Sequence, residues 1–277
     1  MTDESKQNKR TYAVIGDPIA HSRSPELYAP MFEQANIDAD FLRLRVTREE
    51  LPRIRDIAAG YALDGFAVTM PHKRAILEYC DAVDGSAVGA GCGNIVTISE
   101  GVFRCFNTDG EGAVNALREA GVFPGRGMQA VILGSGGAAK AAAAALRSEG
   151  CGVLNISRRH EPGPESSVQD GFLDLRILEN CIAIAERITG CMSFADIVIN
   201  ATPLGMEGIG DFSDLSFVKK LKASCCVFDF VYHRDGSDTS LIAAAKQAGL
   251  WTVGGDRLLY HQGLLAFKLW TGIEYKE

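Results

Sequence analysis

A lysine in Val68-Thr69-Met70-Pro71-His72-Lys73 and an aspartate in Asn107-Thr108-Asp109-Gly110 are the side chains of this sequence best suited to proton chemistry. Each follows an apolar, strand-like run, so a loop over the end of a sheet is expected to carry it. A lysine and an aspartate held close can trade a proton with a bound alcohol, and their opposite charges let both be partly buried. Neither means much alone, because most lone lysines are solvated surface groups. Lys73 and Asp109 are therefore read as a candidate acid/base dyad on the strength of the second signal that follows them.

That signal is Ala130-Val131-Ile132-Leu133-Gly134-Ser135-Gly136-Gly137-Ala138-Ala139-Lys140, which runs on into Ala141 to Leu146. An apolar run ends in glycines and passes at once into an alanine-rich stretch, the pattern of a strand, a tight turn and a helix start. Gly134 allows the turn, and Gly136 lets backbone amides approach a pyrophosphate at the positive end of the helix, with Ala139 as the third small residue. Glycine turns also join ordinary strands to helices, so the pattern gains its meaning from this context. The next strand, Val153 to Ser157, ends in Ser157-Arg158-Arg159-His160 with no acidic residue to accept from a ribose hydroxyl. Two guanidiniums suit a phosphate, which favours NADP over NAD, against the alternative of a solvated basic turn.

The elements that must position these groups alternate in type. Strands are predicted at Tyr12 to Ile15, Phe41 to Val46, Gly65 to Val68 and Cys226 to Phe230, and at Ile197 to Asn200 ahead of Ala201-Thr202-Pro203-Leu204-Gly205-Met206. Asn94 to Ile98 with Val102 to Cys105 reads as a hairpin. Helices are predicted from Ser24 (cap) and Pro25 to about Ala35, from Arg48 to Ala59, from Gly110 to about Leu117, and from Leu258 to Trp270. The alternation indicates an α/β fold whose first sheet is parallel with an antiparallel edge. Residues 1–109 are expected to form a substrate-binding and catalytic domain, 110–240 a Rossmann-type NADP-binding domain, and 241–277 helices that return to the first.

The chain has 277 residues, enough for one large or two modest domains. A formal net charge of −7 argues against a nucleic-acid partner, which needs a dense basic face. The polar N-terminus lacks the apolar centre of a signal peptide, and no run of about 18 apolar residues occurs. A cytoplasmic location without a membrane span is the expectation, as a monomer or homodimer. The eight cysteines, Cys80, Cys92, Cys105, Cys151, Cys181, Cys191, Cys225 and Cys226, form no C-x-x-C pair and are read as reduced thiols, with no metal site expected.

Taken together the chain resembles the shikimate dehydrogenase family over nearly its whole length. The resemblance is carried by Gly16-Asp17-Pro18-Ile19-Ala20-His21-Ser22-Arg23-Ser24-Pro25, the two dyad segments, Gly93-Asn94, Gly134 to Ala138, Asn200 to Met206, Asp229-Phe230-Val231-Tyr232 and Gln262. It implies a two-domain α/β enzyme that reduces 3-dehydroshikimate to shikimate with NADP, in aromatic amino-acid synthesis; relatives handle quinate or amino-shikimate. By the same resemblance Ser22 and Ser24 would hold the substrate carboxylate, and Lys73 would exchange a proton with the C3 oxygen while Asp109 holds Lys73. Thr69, Asn94, Tyr232 and Gln262 would line the remaining substrate groups. Gly134, Ser135, Gly136, Gly137, Ala138, Ser157, Arg158, Arg159, Thr202 and Gly255 would meet NADP, with NAD left open.

The chain also departs from the family pattern. Ala67 stands where asparagine is frequent, which leaves shikimate against quinate or amino-shikimate open. Arg257 replaces a glycine beside the nicotinamide, where it would crowd that end or add charge. His233-Arg234 follows Tyr232 where a proline is common nearby, and Ser240 replaces a proline after Thr239. A dinucleotide-binding sensor without turnover is the alternative from another class, and the intact dyad argues against it. If the arginine turn reads the 2′-phosphate, Arg158→Ala weakens NADP binding far more than NAD binding in parallel titrations. Equal losses for both cofactors would show that it does not.

Overall fold

The computed structural model describes residues 9–20, 22–157, 172–174 and 192–275. The chain divides into two compact units, one running to Asp109 and resuming at Tyr260, the other spanning Gly110 to Leu259.

The first unit is built on a six-stranded sheet in the order β2-β1-β3-β5-β6-β4. Its strands are β1 (Arg10–Gly16), β2 (Ala39–Arg45), β3 (Gly65–Val68), β4 (Ala82–Val83), β5 (Ile95–Ser99) and β6 (Val102–Phe106). Strand β1 is parallel to β2 and β3, whereas β5 runs antiparallel to both β3 and β6. The expected antiparallel edge is thus corrected: β5 lies inside the sheet, and the short β4, parallel to β6, forms the edge. A tight hairpin reverses the chain between β5 and β6, which requires only that neighbouring strands be antiparallel and says nothing of what pairs beyond them.

Alternation along β1 and β3 feeds two cores. Ala13, Ile15, Phe66 and Val68 pack on one face with Ile54, Ile76 and Phe103. On the other, Tyr12 joins Tyr28, Met31 and Phe32 of α1 (Ser24–Gln34) and Phe267 and Trp270 near the C-terminus. Trp270 sits 5.1 Å from both Tyr12 and Tyr28, ring centre to ring centre, and donates from Nε1 to the Val96 carbonyl at 3.0 Å. Gly65 admits the indole, since a Cβ there would lie 2.6 Å from Nε1.

Two helix expectations are corrected locally. Ser24 is the first helical residue and Arg23 the cap, with no side-chain cap bond. The helix expected from Arg48 begins later, as a 3₁₀ turn Leu51–Arg53 followed by α2 (Ile54–Gly60). Thr47 and Glu50 bond each other's backbone N–H reciprocally, at 2.8 and 3.3 Å, and so hold the chain in a box before the helix starts. Helix α3 (Gly85–Ala90) carries only small residues and Val88, too weak a pattern to announce itself.

The second unit holds a wholly parallel sheet in the order β12-β11-β10-β7-β8-β9. Its strands are β7 (Gln129–Leu133), β8 (Gly152–Ser157), β9 (Phe172–Asp174), β10 (Ile197–Asn200), β11 (Cys226–Asp229) and β12 (Trp251–Val253). Helices α4 (Asp109–Glu119), α5 (Gly137–Ser148) and α6 (Ser240–Gln247) accompany it, and α7 (Gly255–Thr271) carries the chain onward. Both faces are covered: Ala130, Ile132, Ile197, Ile199 and Phe228 pack on one side, Val131, Val198 and Val227 on the other. Strands buried on both faces read as continuous apolar runs, as these do. The chain winds from β7 through β8 to β9 in one direction and from β10 to β12 in the other, so the switch point lies between β7 and β10.

The expected return to the first unit at residue 241 is corrected to 260. Strand β12 pairs with β11, and Leu241 and Ala245 of α6 are buried in the second core, which keeps both elements with that sheet. No helix among the described residues is long and apolar enough to cross a membrane. Trp270→Ala removes a buried indole and its hydrogen bond and is expected to destabilise the first unit by about 3–5 kcal/mol, read as a lower denaturation midpoint in urea.

Candidate active site

Strands β1, β3 and β6 point the same way and β5 the opposite way, so their ends set four segments along one edge of the first sheet. These are the chain after β1 with Ser22 and Ser24, the chain after β3 with Thr69 and Lys73, Asn94 just before β5, and Asp109 just after β6. Residues from separate signatures are brought together in this way.

Lys73 Nζ donates to Asp109 Oδ2 at 2.6 Å. The aspartate side chain is only 6% exposed and the lysine side chain 23%, so the pair is sheltered at its acid end and reachable at its basic end. Asp109 Oδ1 accepts from Asn94 Nδ2 at 2.9 Å. The same amide nitrogen lies 3.0 Å from both Thr108 Oγ1 and Gln262 Oε1, and Asn94 Oδ1 accepts from the Thr108 N–H at 2.8 Å. Asn94 is therefore the node that joins the dyad to Gln262 on α7. Its own backbone is fixed by sheet bonds, from its N–H to Phe106 O and from the Val68 N–H to its carbonyl.

Ser22 and Ser24 form a second pair, hydroxyl to hydroxyl at 3.1 Å, with Ser22 O held by Arg43 Nε at 2.7 Å. Thr69 is partly buried and ties the loop to β1, its N–H donating to Ile15 O and its carbonyl accepting from the His72 N–H. Gly16 permits this close approach, because a Cβ there would lie 2.4 Å from Thr69 Cγ2 and 2.8 Å from Met70 O. His72 is buried and donates from Nε2 to Val46 O at 2.6 Å, since a carbonyl only accepts; its role is to anchor the loop that carries Lys73. Below the site, burial and then the charge of Asp109 push the Tyr28 phenol up, so it stays neutral.

Asn107 is a positioning residue that sequence reading left without a role. Its Oδ1 accepts from the Asp109 N–H at 3.0 Å while its Nδ2 donates to Cys92 O at 3.0 Å. This is an Asx turn at the start of α4, and an Asn two residues before an acidic helix start is the signal that could have found it.

In the second unit the glycine turn has the expected form. Gly134 has φ +124°, and a Cβ there would lie 2.8 Å from Ala201 O, so no side chain is tolerated between the loops after β7 and β10. Gly136 is exposed, with open space for 4 Å around the place a Cβ would occupy, and α5 starts at the next residue. Ser135, Gly137 and Ala138 are partly buried around it, and Ala139 is wholly buried in the core. An exposed turn with a free approach to a helix N-terminus fits a pyrophosphate. Thr202 donates from Oγ1 to Asn200 Oδ1 at 2.6 Å, while Asn200 Nδ2 donates to Asp229 Oδ1 at 2.9 Å. Thr239 donates to Asp229 Oδ2 at 2.6 Å. Burial raises the Asp229 carboxyl above its ordinary value even with these donors around it.

Tyr232 is partly buried on the segment after β11. Gly255 opens α7 against the backbone of Phe230, whose oxygen would lie 2.5 Å from a Cβ, which gives that glycine a packing reason. Ser157 closes β8 in its backbone, whereas Arg158, Arg159, Cys181 and Cys191 lie outside the described residues. The cysteines within them are free thiols. The Arg257 guanidinium is engaged by the Glu119 carboxylate of α4, with Nε to Oε2 at 2.7 Å. Ala67 packs against the aromatic core.

A doubly wound sheet with a glycine turn at its switch point, joined to a unit bearing an acid/base pair, defines the class of nucleotide-dependent dehydrogenases. Residues 14–96 match the shikimate dehydrogenase substrate binding domain. The chain is 36% identical over 262 residues to the NADP(+) shikimate dehydrogenase of Methanopyrus kandleri, covering 94% of this chain and 90% of that one. The solved shikimate dehydrogenase of Aquifex aeolicus superposes with TM-score 0.83 at 26% identity, covering 98% and 95%. That of Thermus thermophilus, in complex with NADP(H) and shikimate, gives TM-score 0.78 at 28% identity over 96% and 95%. This chain belongs to the shikimate dehydrogenase family.

Asn107→Ala removes the side-chain bonds that tie the start of α4 to Cys92. It is expected to lower stability by about 1–3 kcal/mol and to reduce kcat more than it raises the substrate KM, because it loosens Asp109 without touching substrate. An unchanged kcat in steady-state assays would refute that positioning role.

Proposed function

We propose that this protein is an NADP-dependent shikimate dehydrogenase that interconverts 3-dehydroshikimate and shikimate, with the first unit holding the substrate and the second the dinucleotide. The observation that carries the reading is the 2.6 Å contact of Lys73 with Asp109, within a network that also holds Asn94 and Gln262.

Each group has a task that its setting supports. Ser22 and Ser24 offer paired hydroxyls to a carboxylate, binding the anion by direction rather than by net charge. Asn94, Thr69 and Gln262 supply polar contacts to ring hydroxyls, and Tyr232 adds a further one. Lys73 gives its proton to the oxygen at C3 in the reducing direction and takes it back in the oxidising one. Asp109 keeps the ammonium aimed and offsets its charge while it cycles. NADPH, when bound, supplies the hydride, and the protein contributes position and electrostatics. Gly134 to Ala138, with Thr202, would hold the cofactor's phosphates, and Ser157, Arg158 and Arg159 its adenosine end. A cytoplasmic monomer or homodimer is the form in which we place this activity.

Lys73→Ala should lower kcat by about 10² to 10⁴ while NADPH still binds in a fluorescence titration. Turnover that survives the substitution would remove Lys73 from the chemistry. Initial rates on shikimate, quinate and amino-shikimate, each with NADP and NAD, test the substrate: we expect shikimate with NADP to give the highest kcat/KM. A quinate value equal to or above it would overturn that assignment.

A further inference from the structure

The loop that leaves β10 is tied down at its far end, and we propose that His233 is a positioning residue that sets this loop for dinucleotide binding. The inference rests on the reading that the second unit holds NADP.

Gly205 sits in this loop with φ +92°, a conformation that suits glycine. Its N–H donates to Gly210 O at 2.8 Å, and its carbonyl accepts from His233 Nε2 at 2.8 Å. His233 itself stands on a turn closed by the Gly236 N–H to its own carbonyl at 3.1 Å. The ring therefore bridges the loop after β10 to the loop after β11. Next to it, Ser240 donates from Oγ to Asp211 Oδ1 at 2.5 Å, linking the start of α6 to the end of the same loop. The near end of the loop is fixed by Asn200, whose Oδ1 accepts from both the N–H and the hydroxyl of Thr202. Between these ties lies Thr202 to Leu204, directly beside the glycine turn, where Ala201 O closes on Gly134.

Hydrogen counting shows how the ring is held. The Gly205 carbonyl only accepts, so Nε2 carries a hydrogen. Nδ1 lies 3.0 Å from Ser237 Oγ, and that hydroxyl is 2.7 Å from Asp235 Oδ1. Bonds from Ser237 hold the Asp235 carboxyl below its ordinary range, so it is ionised and takes the one hydroxyl hydrogen. The Nδ1 contact is then a hydrogen bond only when Nδ1 is also protonated. The acidic groups around the ring are Asp235 on its own turn and Asp229 at the end of β11. On the neighbouring segments Asp211 is bonded by Ser240, and Asp238 is paired with Lys246 at 2.7 Å. The bond to the Gly205 carbonyl is the one on which the clamp depends.

The test is NADPH affinity and steady-state kinetics of the full-length protein, for wild type, His233→Ala and His233→Gln. We expect His233→Ala to raise the Kd and KM for the cofactor about 3- to 10-fold, the cost of one or two hydrogen bonds, with kcat and the shikimate KM unchanged. His233→Gln keeps a donor for the Gly205 carbonyl, so it should recover most of the affinity. A His233→Ala Kd within about twofold of wild type, or an equal fall in every kinetic constant, would overturn the clamp. Failure of the wild-type protein to bind NADPH at all would instead overturn the assignment of the second unit.

Discussion

Lys73 and Asp109 can meet because two parallel strands, β3 and β6, end on the same edge of one sheet with a single antiparallel strand between them. Any slip of β5 by one residue would move Asn94 off that edge and turn its side chain to the other face. The carboxylate would then lose its second donor while remaining buried. Leaving a buried acceptor short of a donor costs about 1–3 kcal/mol, so the register of β5 and the support of the dyad are a single constraint. The aromatic core beneath makes that register firm, since Trp270 hydrogen-bonds the carbonyl of Val96, the residue after Ile95 on the same strand.

The second unit follows a different logic, because what it offers at its switch point is chiefly backbone. Gly134 allows the loops after β7 and β10 to touch, and a buried carboxylate, Asp229, gathers Asn200, Thr239 and the Val231 N–H so that the loop after β10 starts from a fixed point. Burying that carboxylate is unfavourable, which its raised proton affinity records. Fully satisfied buried networks of this kind rigidify what they hold, and a rigid loop loses less freedom when a ligand orders it.

The two departures from family pattern after β11 acquire a meaning in this setting. His233 and Ser240 each make a hydrogen bond to the loop after β10, one to a carbonyl and one to a carboxylate. A proline, whose ring carries no polar group, would give neither. Arg257 is likewise explained by a partner 138 residues earlier, Glu119, in the same unit.

Much of this protein was legible in its sequence. Apolar runs marked β3, β7, β8, β10 and β11, because strands buried on both faces must be apolar throughout. Gly134 and Gly136 stood out because a tight turn at a helix start needs residues without side chains. Lys73, Asp109, Asn94 and Gln262 were candidates by type and by resemblance. Their meeting was decided by tertiary structure alone, since the place of β5 inside the sheet, the seating of α7 from Tyr260 onward and the pairing of β12 with β11 are long-range contacts. So were the tasks of Asn107 and His233, which rest on bonds to the Asp109 N–H and the Gly205 carbonyl. A backbone N–H or carbonyl is the same at every residue, so no sequence pattern names it, and only the folded chain shows which ones a side chain reaches.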